Sequence, residues 1–194
     1  MTLKETCLVI LAAGKSTRMG KPKGLVEING KSLIQLQAER FLKAGGEQVL
    51  FVLGYDFEKY VSHIGAHDTV LNQAPARGQF SSIQMVAEAS AGLGQLGYWL
   101  MPIDTPCPHR DIFETLLKSS KGKEAVVPTF EDKGGHPIFL TPTFFKALTL
   151  FPVDSRLDAI LRLSSSVARV EVGWKGVVFN MNTPEEVAGF SALL

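Results

Sequence analysis

The stretch "LAAGKSTRMGKPK" (residues 11–23) leaves the apolar run "CLVILAA" (7–13), and its reading decides the fold. Gly14-Lys15-Ser16 looks like the end of a phosphate-binding P-loop. A P-loop requires an earlier glycine with four residues between the two. That place is held by Val9, in the middle of the apolar run. Gly20 and Pro22 also interrupt the helix that the lysine and serine of a P-loop would open. No G-x-G-x-x-G is read in the chain either, so a dinucleotide-binding domain lacks its fingerprint. What remains still suits phosphate. Ala12, Ala13 and Gly14 are small enough for backbone N–H groups to approach an anion closely. The loop leaves the carboxyl end of a first strand, the usual ligand edge of an open α/β sheet. Lys15, Arg18, Lys21 and Lys23 bring four cations within nine residues, and no acid offsets them before Glu27.

Outward from this loop, apolar runs alternate with amphipathic stretches. Strands are expected at 7–13, 48–54, 68–72, 97–104, 124–130 and 167–173. Helices are expected at 32–45, 56–64, 81–93, 109–119, 142–150, 155–164 and 183–194. Gly45-Gly46 is a stop for the first helix, Ser81 or Ser82 a cap for the third, and Thr183-Pro184 a start for the last. Residues 136–141 read as a strand that forms a hairpin with 124–130 through Gly134-Gly135. Unbroken apolar strands separated by helices imply a mostly parallel sheet covered on both faces, with antiparallel strands added after residue 124. The expected fold is α/β, a Rossmann-like three-layer sandwich. The chain shows no linker, low-complexity tract or fixed-period repeat, so residues 1–194 read as one domain.

The totals exclude several classes. Of 194 residues, 45% are apolar and 20% charged, which suits a globular chain rather than a disordered one. The formal net charge of +1 gives no global attraction to nucleic acid or to a membrane surface. Cys7 and Cys107 lie in no metal-type spacing and read as packed thiols. The N-terminal "MTLKETCLVILAAG" carries Glu5 and a short apolar run before "KSTRMGK", so it reads as a buried strand rather than a signal peptide. A soluble cytoplasmic protein is expected. The sequence sets no oligomeric state.

Leu11-Ala12-Ala13-Gly14, Ser16, Arg18-Met19-Gly20, Lys23 and Gly30 before a helix resemble the signature of MobA-like nucleotidyltransferases. That group includes the molybdenum cofactor cytidylyl- and guanylyltransferases and, more distantly, sugar-phosphate and methylerythritol-phosphate nucleotidyltransferases. The resemblance implies a fold of the nucleotide-diphospho-sugar transferase type. It implies that the Leu11–Gly14 backbone wraps the base and phosphates, and that Arg18 and Lys23 meet the triphosphate. "NQAPARGQFSSI" (72–83) resembles the family segment that holds base and ribose, with Asn72, Gly78, Ser81 and Ser82 as the matching positions. "MPIDTPCP" (101–108) resembles the segment with the metal-binding aspartate, here Asp104, a hard oxygen ligand suited to Mg²⁺. "FNMNTPEEV" (179–187) resembles the closing motif, in which Asn182 is the second metal ligand and Asn180 lies nearby. Asn-Thr-Pro-Glu-Glu is equally a well-formed helix start.

"GGHPIFL" (134–140) resembles the Gly-His-Pro of cytidylyl-type members. Read on its own residues, His136 has no neighbouring acid or second ligand and is a structural or substrate-side group. His63, His67 and His109 read as surface residues. Arg156 lacks the glycine context that the family carries near that position, which leaves recognition of the second substrate open. Ala13 and His136-Pro137 resemble pyrimidine users, whereas Asn180 and Asn182 resemble guanylyl enzymes. The implied activity is Mg²⁺-dependent transfer of a nucleoside monophosphate from a nucleoside triphosphate to a small phosphorylated acceptor such as molybdopterin, with release of pyrophosphate. CTP is the favoured donor and GTP the second. Arg18, Lys23 and Asp104 carry the chemistry. The alternatives are a sugar-phosphate nucleotidyltransferase and a non-catalytic nucleotide-binding regulatory protein.

Overall fold

The computed structural model describes every residue except Ala91, and of Arg18 the backbone alone. In chain order the elements are β1 (Thr6–Leu11), β2 (Glu27–Ile28), β3 (Lys31–Ser32), α1 (Leu33–Ala44), β4 (Gln48–Leu53), α2 (Phe57–Ile64), β5 (Asp68–Leu71) and α3 (Gln79–Ala89). Then come β6 (Gly97–Pro102), α4 (Arg110–Ser119), β7 (Ala125–Phe130), β8 (Lys133–Gly134), β9 (Ile138–Leu140), α5 (Pro142–Ala147), α6 (Leu157–Leu163), β10 (Val167–Glu171) and α7 (Val187–Ser191).

The main sheet has the order β10-β7-β9-β6-β1-β4-β5, with β8 paired to β7. β1 lies between β4 and β6 and is parallel to both. β4 is parallel to β5, and β10 to β7. β9 alone runs against both of its neighbours, β6 and β7, as the antiparallel addition expected after residue 124.

All six residues of β1 are buried because the sheet is covered on both faces. Leu8 and Ile10 pack with Leu33, Ile34 and Phe41 of α1 and with Ile112, Phe113 and Leu116 of α4. Cys7, Val9 and Leu11 point the other way, against Phe80, Ile83 and Val86 of α3, Phe144 and Phe145 of α5, and Ile160 and Leu161 of α6. This alternation produces the three layers.

Local signals fix the ends of α1. Gln35 Oε1 accepts from both the backbone N–H and the hydroxyl of Ser32 at 3.2 and 2.7 Å. Gly45 closes the helix at φ 104°, a conformation costly for residues with a Cβ.

Some expectations need correction. α3 begins two residues before Ser81, and its N-cap is Gly78; Ser81 instead donates to the Gly78 carbonyl at 2.7 Å. The 124–140 hairpin reverses at Glu131-Asp132, both with left-handed φ, rather than at Gly134-Gly135. A small β2–β3 hairpin turns on Asn29-Gly30, also left-handed, a strong hairpin pair hidden between strands of only two residues. The closing segment is a 3-10 turn (Pro184–Glu186) followed by the short α7 rather than one helix over 183–194. Gly92, Gly94 and Gly97 do match G-x-G-x-x-G spacing, but they precede β6 instead of following a strand, so no helix N-terminus faces a ligand there. Among the described residues no helix is long and apolar enough to cross a membrane.

Candidate active site

The carboxyl ends of β1, β4, β5 and β6 share one edge because these strands are parallel. The loop after β1 is held there from both sides. Ala12 N–H donates to Val52 O at 2.8 Å, Tyr55 N–H to Ala13 O at 3.3 Å, and Ile103 N–H to Leu11 O at 3.1 Å. The chain then passes through Ser16, left-handed at φ 52°, and Gly20 at φ 67°. Ser16 Oγ accepts the Lys23 N–H at 3.1 Å and closes the loop. Of the four cations in this stretch, Lys23 turns inward, Lys15 lies 5.9 Å from the centre of the Tyr55 ring, and Lys21 is exposed. The expected role of Arg18 falls on a side chain outside the described residues.

Asp104 follows β6. Its segment is gripped from below by Gln37, a glutamine of α1 that is 0% exposed. Gln37 Nε2 donates to Ile103 O at 3.2 Å and to Thr105 O at 2.5 Å, and its Oε1 accepts from Cys107 N–H at 2.8 Å. The closing segment reaches the same spot, where Met181 N–H donates to Asp104 O at 2.9 Å. Glu186 holds the approach by accepting from Asn182 N–H at 2.5 Å and Thr183 N–H at 3.0 Å. Asn180 Oδ1 accepts from the Thr105 hydroxyl at 3.2 Å.

Three residues from three distant parts of the chain thus meet. Lys23 Nζ lies 2.6 Å from Asp104 Oδ2 and 3.1 Å from Asn182 Oδ1. The Lys23 and Asp104 side chains are 13% and 19% exposed, so the pair is only partly screened by water. Both oxygens are hard donors, and a cation already bridges them, so the pair fits a divalent ion such as Mg²⁺. Among the described residues no group of three or more histidines, cysteines or acids converges.

Two adjoining cavities open beside this cluster. One of about 340 Å³ is lined by residues 11–14, Lys23, Gly78, Ser82 and Asp104. A larger one of about 640 Å³ shares Leu11, Gly78 and Gln79 with it and continues past His136 to Arg77, Arg156, Arg162 and Arg169. Gly78, at the junction, has φ 94° and ψ 174°, a conformation essentially restricted to glycine.

Of the expected base-and-ribose residues, Gly78 and Ser82 line the smaller cavity, whereas Asn72 and Ser81 lie behind it. Buried Asn72 donates to the hydroxyls of Ser81 and Ser82 at 3.0 and 2.9 Å, and its Oδ1 accepts from Ala74 N–H at 2.9 Å. Asn72 and Ser81 thereby brace the loop over 73–78. Arg156 pairs with Asp158 at 3.0 Å on the rim of the larger cavity. His136 stands in that cavity's wall, with its backbone N–H bound to Val177 O at 2.7 Å. Its Nδ1 is 3.3 Å from Leu100 O, which can only accept, so Nδ1 carries the proton of the neutral ring. Burial pushes the imidazole below its ordinary pKa, against the opposing pull of that carbonyl and of Asp104.

Gln37, Glu186 and Gln79 were missed from sequence. Only Glu186 had a signal, the acid in the third position after Thr183.

The geometry has matches among known proteins. The MobA-like NTP transferase domain matches residues 8–170. A probable molybdenum cofactor guanylyltransferase of Opitutus terrae is 29% identical over 119 residues, 61% of this chain and 57% of that protein. The molybdenum cofactor guanylyltransferase of Shewanella sp. strain MR-4 is 28% identical over 191 residues, 92% of this chain and 91% of that one. Rv0371c from Mycobacterium tuberculosis H37Rv is 23% identical, with a TM-score of 0.82 covering 99% of this chain and 100% of that chain, and shows a shared fold. The three-layer fold of the nucleotide-diphospho-sugar transferase type is therefore the one observed. With the loop after β1, the inward lysine, the aspartate and the closing asparagine joined on one sheet edge, the chain belongs to the MobA-like NTP transferase domain family, a family of nucleotidyltransferases.

Proposed function

We propose that the protein transfers a nucleoside monophosphate from a nucleoside triphosphate to a small phosphorylated acceptor and releases pyrophosphate. The observation that carries this reading is the convergence of Lys23, Asp104 and Asn182, of which Lys23 and Asp104 line the smaller cavity. The triphosphate lies along residues 11–14, where small side chains leave backbone N–H groups accessible. An oxygen of the acceptor phosphate attacks the α-phosphorus, a new P–O bond forms, and the bond to the bridging α–β oxygen breaks. Pyrophosphate leaves with that electron pair. No side-chain nucleophile is needed, because positioning and charge neutralisation provide the catalysis. Lys23 neutralises charge on the phosphoryl oxygens. Asp104 and Asn182 would hold Mg²⁺, which when bound would supply Lewis-acid stabilisation of phosphate oxygens. The larger cavity takes the acceptor, whose negative charge suits the arginines around it.

Ala13 and the His136-Pro137 pair speak for CTP as donor, and the names of the Shewanella and Opitutus relatives for GTP. Those relatives also make molybdopterin the first acceptor to try. The test is a thermal-shift panel of CTP, GTP, UTP and ATP with and without Mg²⁺, followed by pyrophosphate release with molybdopterin and with sugar 1-phosphates. A nucleotide at about a hundred times its dissociation constant adds roughly 2.7 kcal/mol of stability. No shift with any nucleotide at any Mg²⁺ level refutes the proposal.

A further inference from the structure

The ammonium of Lys23 sits where a divalent ion would have to sit. It contacts Asp104 Oδ2 at 2.6 Å and Asn182 Oδ1 at 3.1 Å, the same two oxygens that fit the metal. We infer that Lys23 plugs the metal site of the resting protein, so that the divalent ion is admitted only together with the triphosphate that draws Lys23 away. The inference rests on the function proposed above and adds an order of binding to it.

Three physical points support it. A divalent ion cannot share two oxygens with an ammonium at contact distance, because both charges are positive and the site is partly shielded from solvent. The Lys23 side chain ends a flexible four-carbon stem, so the ammonium can move while the backbone stays fixed. The backbone does stay fixed, because the Lys23 N–H is held by Ser16 Oγ at 3.1 Å. Residues 11–14 line the same cavity as Lys23, so a triphosphate bound there offers the ammonium a stronger anionic partner. With Lys23 transferred to phosphate, Asp104 and Asn182 face a ligand set completed by phosphate oxygens. The plug also serves the empty state, since it compensates the Asp104 charge that would otherwise stand unpaired in a half-buried place.

The experiment is a Mn²⁺ titration followed by electron paramagnetic resonance, in which bound ion disappears from the free-ion signal. It is run without nucleotide on the wild type, Lys23→Met and Lys23→Met/Asp104→Ala. A plug closed nine times in ten weakens apparent affinity about tenfold, so Lys23→Met should bind Mn²⁺ at least that much more tightly than the wild type. The double variant should lose the gain, which locates the ion at Asp104. Equal Mn²⁺ affinity in wild type and Lys23→Met overturns the inference, as does absence of binding to both. If Lys23→Met does not fold, the wild type decides. Stoichiometric Mn²⁺ binding without nucleotide then overturns the plug, and loss of free-ion signal that appears only with CTP or GTP, and exceeds the loss those nucleotides cause without protein, supports it. Failure of the nucleotide–Mn²⁺ complex to bind the wild type sinks the proposed function instead, while the nucleotide-free comparison still reads the plug.

Discussion

Replacing Gln37 with methionine should damage both stability and turnover, although Gln37 touches no cavity. The side chain is fully buried and makes three hydrogen bonds, to Ile103 O, Thr105 O and Cys107 N–H, which bracket Asp104. Methionine has a similar volume and no strong donor or acceptor, so the change leaves those groups unsatisfied without opening a cavity. A buried group left without its partner costs about 1–3 kcal/mol, and part of the three-group sum is recovered by burying an apolar side chain. The net loss should be about 3–5 kcal/mol, or roughly 6–20 °C in Tm at about 2–4 °C per kcal/mol for a domain of this size. Urea unfolding measures it. The Asp104 segment also loses its anchor, and a misplacement of about 1 Å can cost on the order of a hundredfold in rate. Pyrophosphate release should therefore fall in kcat more than it rises in KM. Gln37→Glu separates the two causes. It keeps an acceptor for Cys107 N–H but points an ionised carboxylate at two carbonyls, so its deficit should shrink as pH falls and the glutamate gains a proton. A Gln37→Met protein that loses less than about 1 kcal/mol and keeps its kcat would refute the account of how Asp104 is held.

The same geometry sets further outcomes. Asp104→Ala should cut kcat by about a thousandfold, equivalent to roughly 4 kcal/mol of transition-state stabilisation, while circular dichroism stays native; substantial turnover at saturating Mg²⁺ contradicts the role given to Asp104. Gly78→Ala meets no atom, yet its φ of 94° should cost about 1–3 kcal/mol in a urea melt and weaken nucleotide binding through the loop between the two cavities. His136 is held below its ordinary value of 6.5 by burial, so the unfolded chain takes up that proton first. Its stabilising effect is complete above that value and is lost as pH falls below it, at up to about 1.4 kcal/mol per pH unit. His136→Gln should remove that part of the slope between about pH 7.5 and 5.5, and an unchanged slope would show that the ring is not the group responsible.

Much of the fold was legible because the dominant signal was simple. A strand buried on both faces has to be apolar along its length, and β1, β4 and β6 are, apart from Thr6 and Gln48 at the starts of the first two. The reversed strand β9 was legible as a hairpin partner, but its turn was not, since Glu131 adopts a left-handed angle that its type does not announce. The candidate site was legible where resemblance supplied a motif. Lys23, Asp104 and Asn182 were singled out from positions 23, 104 and 182, and folding joins them. Gln37 was invisible because a glutamine among the leucines of an amphipathic helix looks like a surface residue until its long-range partners are known. Asn72 shows the converse, since its motif marks a place near the ligand while its side chain is taken up by Ser81 and Ser82 of α3 and by Ala74 N–H.

The direction of β9 has a consequence for how such a chain can change. A parallel strand meets ligands at its carboxyl end, so β1 and β6 contribute through the loops that leave them. β9 runs the opposite way, with Ile138 opposite Leu100 and Leu140 opposite Tyr98. Its entrance, not its exit, therefore lies at the cavity edge of the sheet, and Gly135 and His136 arrive at the cavity wall before the strand begins. Substitutions just ahead of β9 retune what the larger cavity accepts. Those just behind it, from Thr141 into α5, are felt only as support. One inverted strand thus gives the larger cavity its own stretch of sequence, separate from the loop after β1 that lines the smaller one.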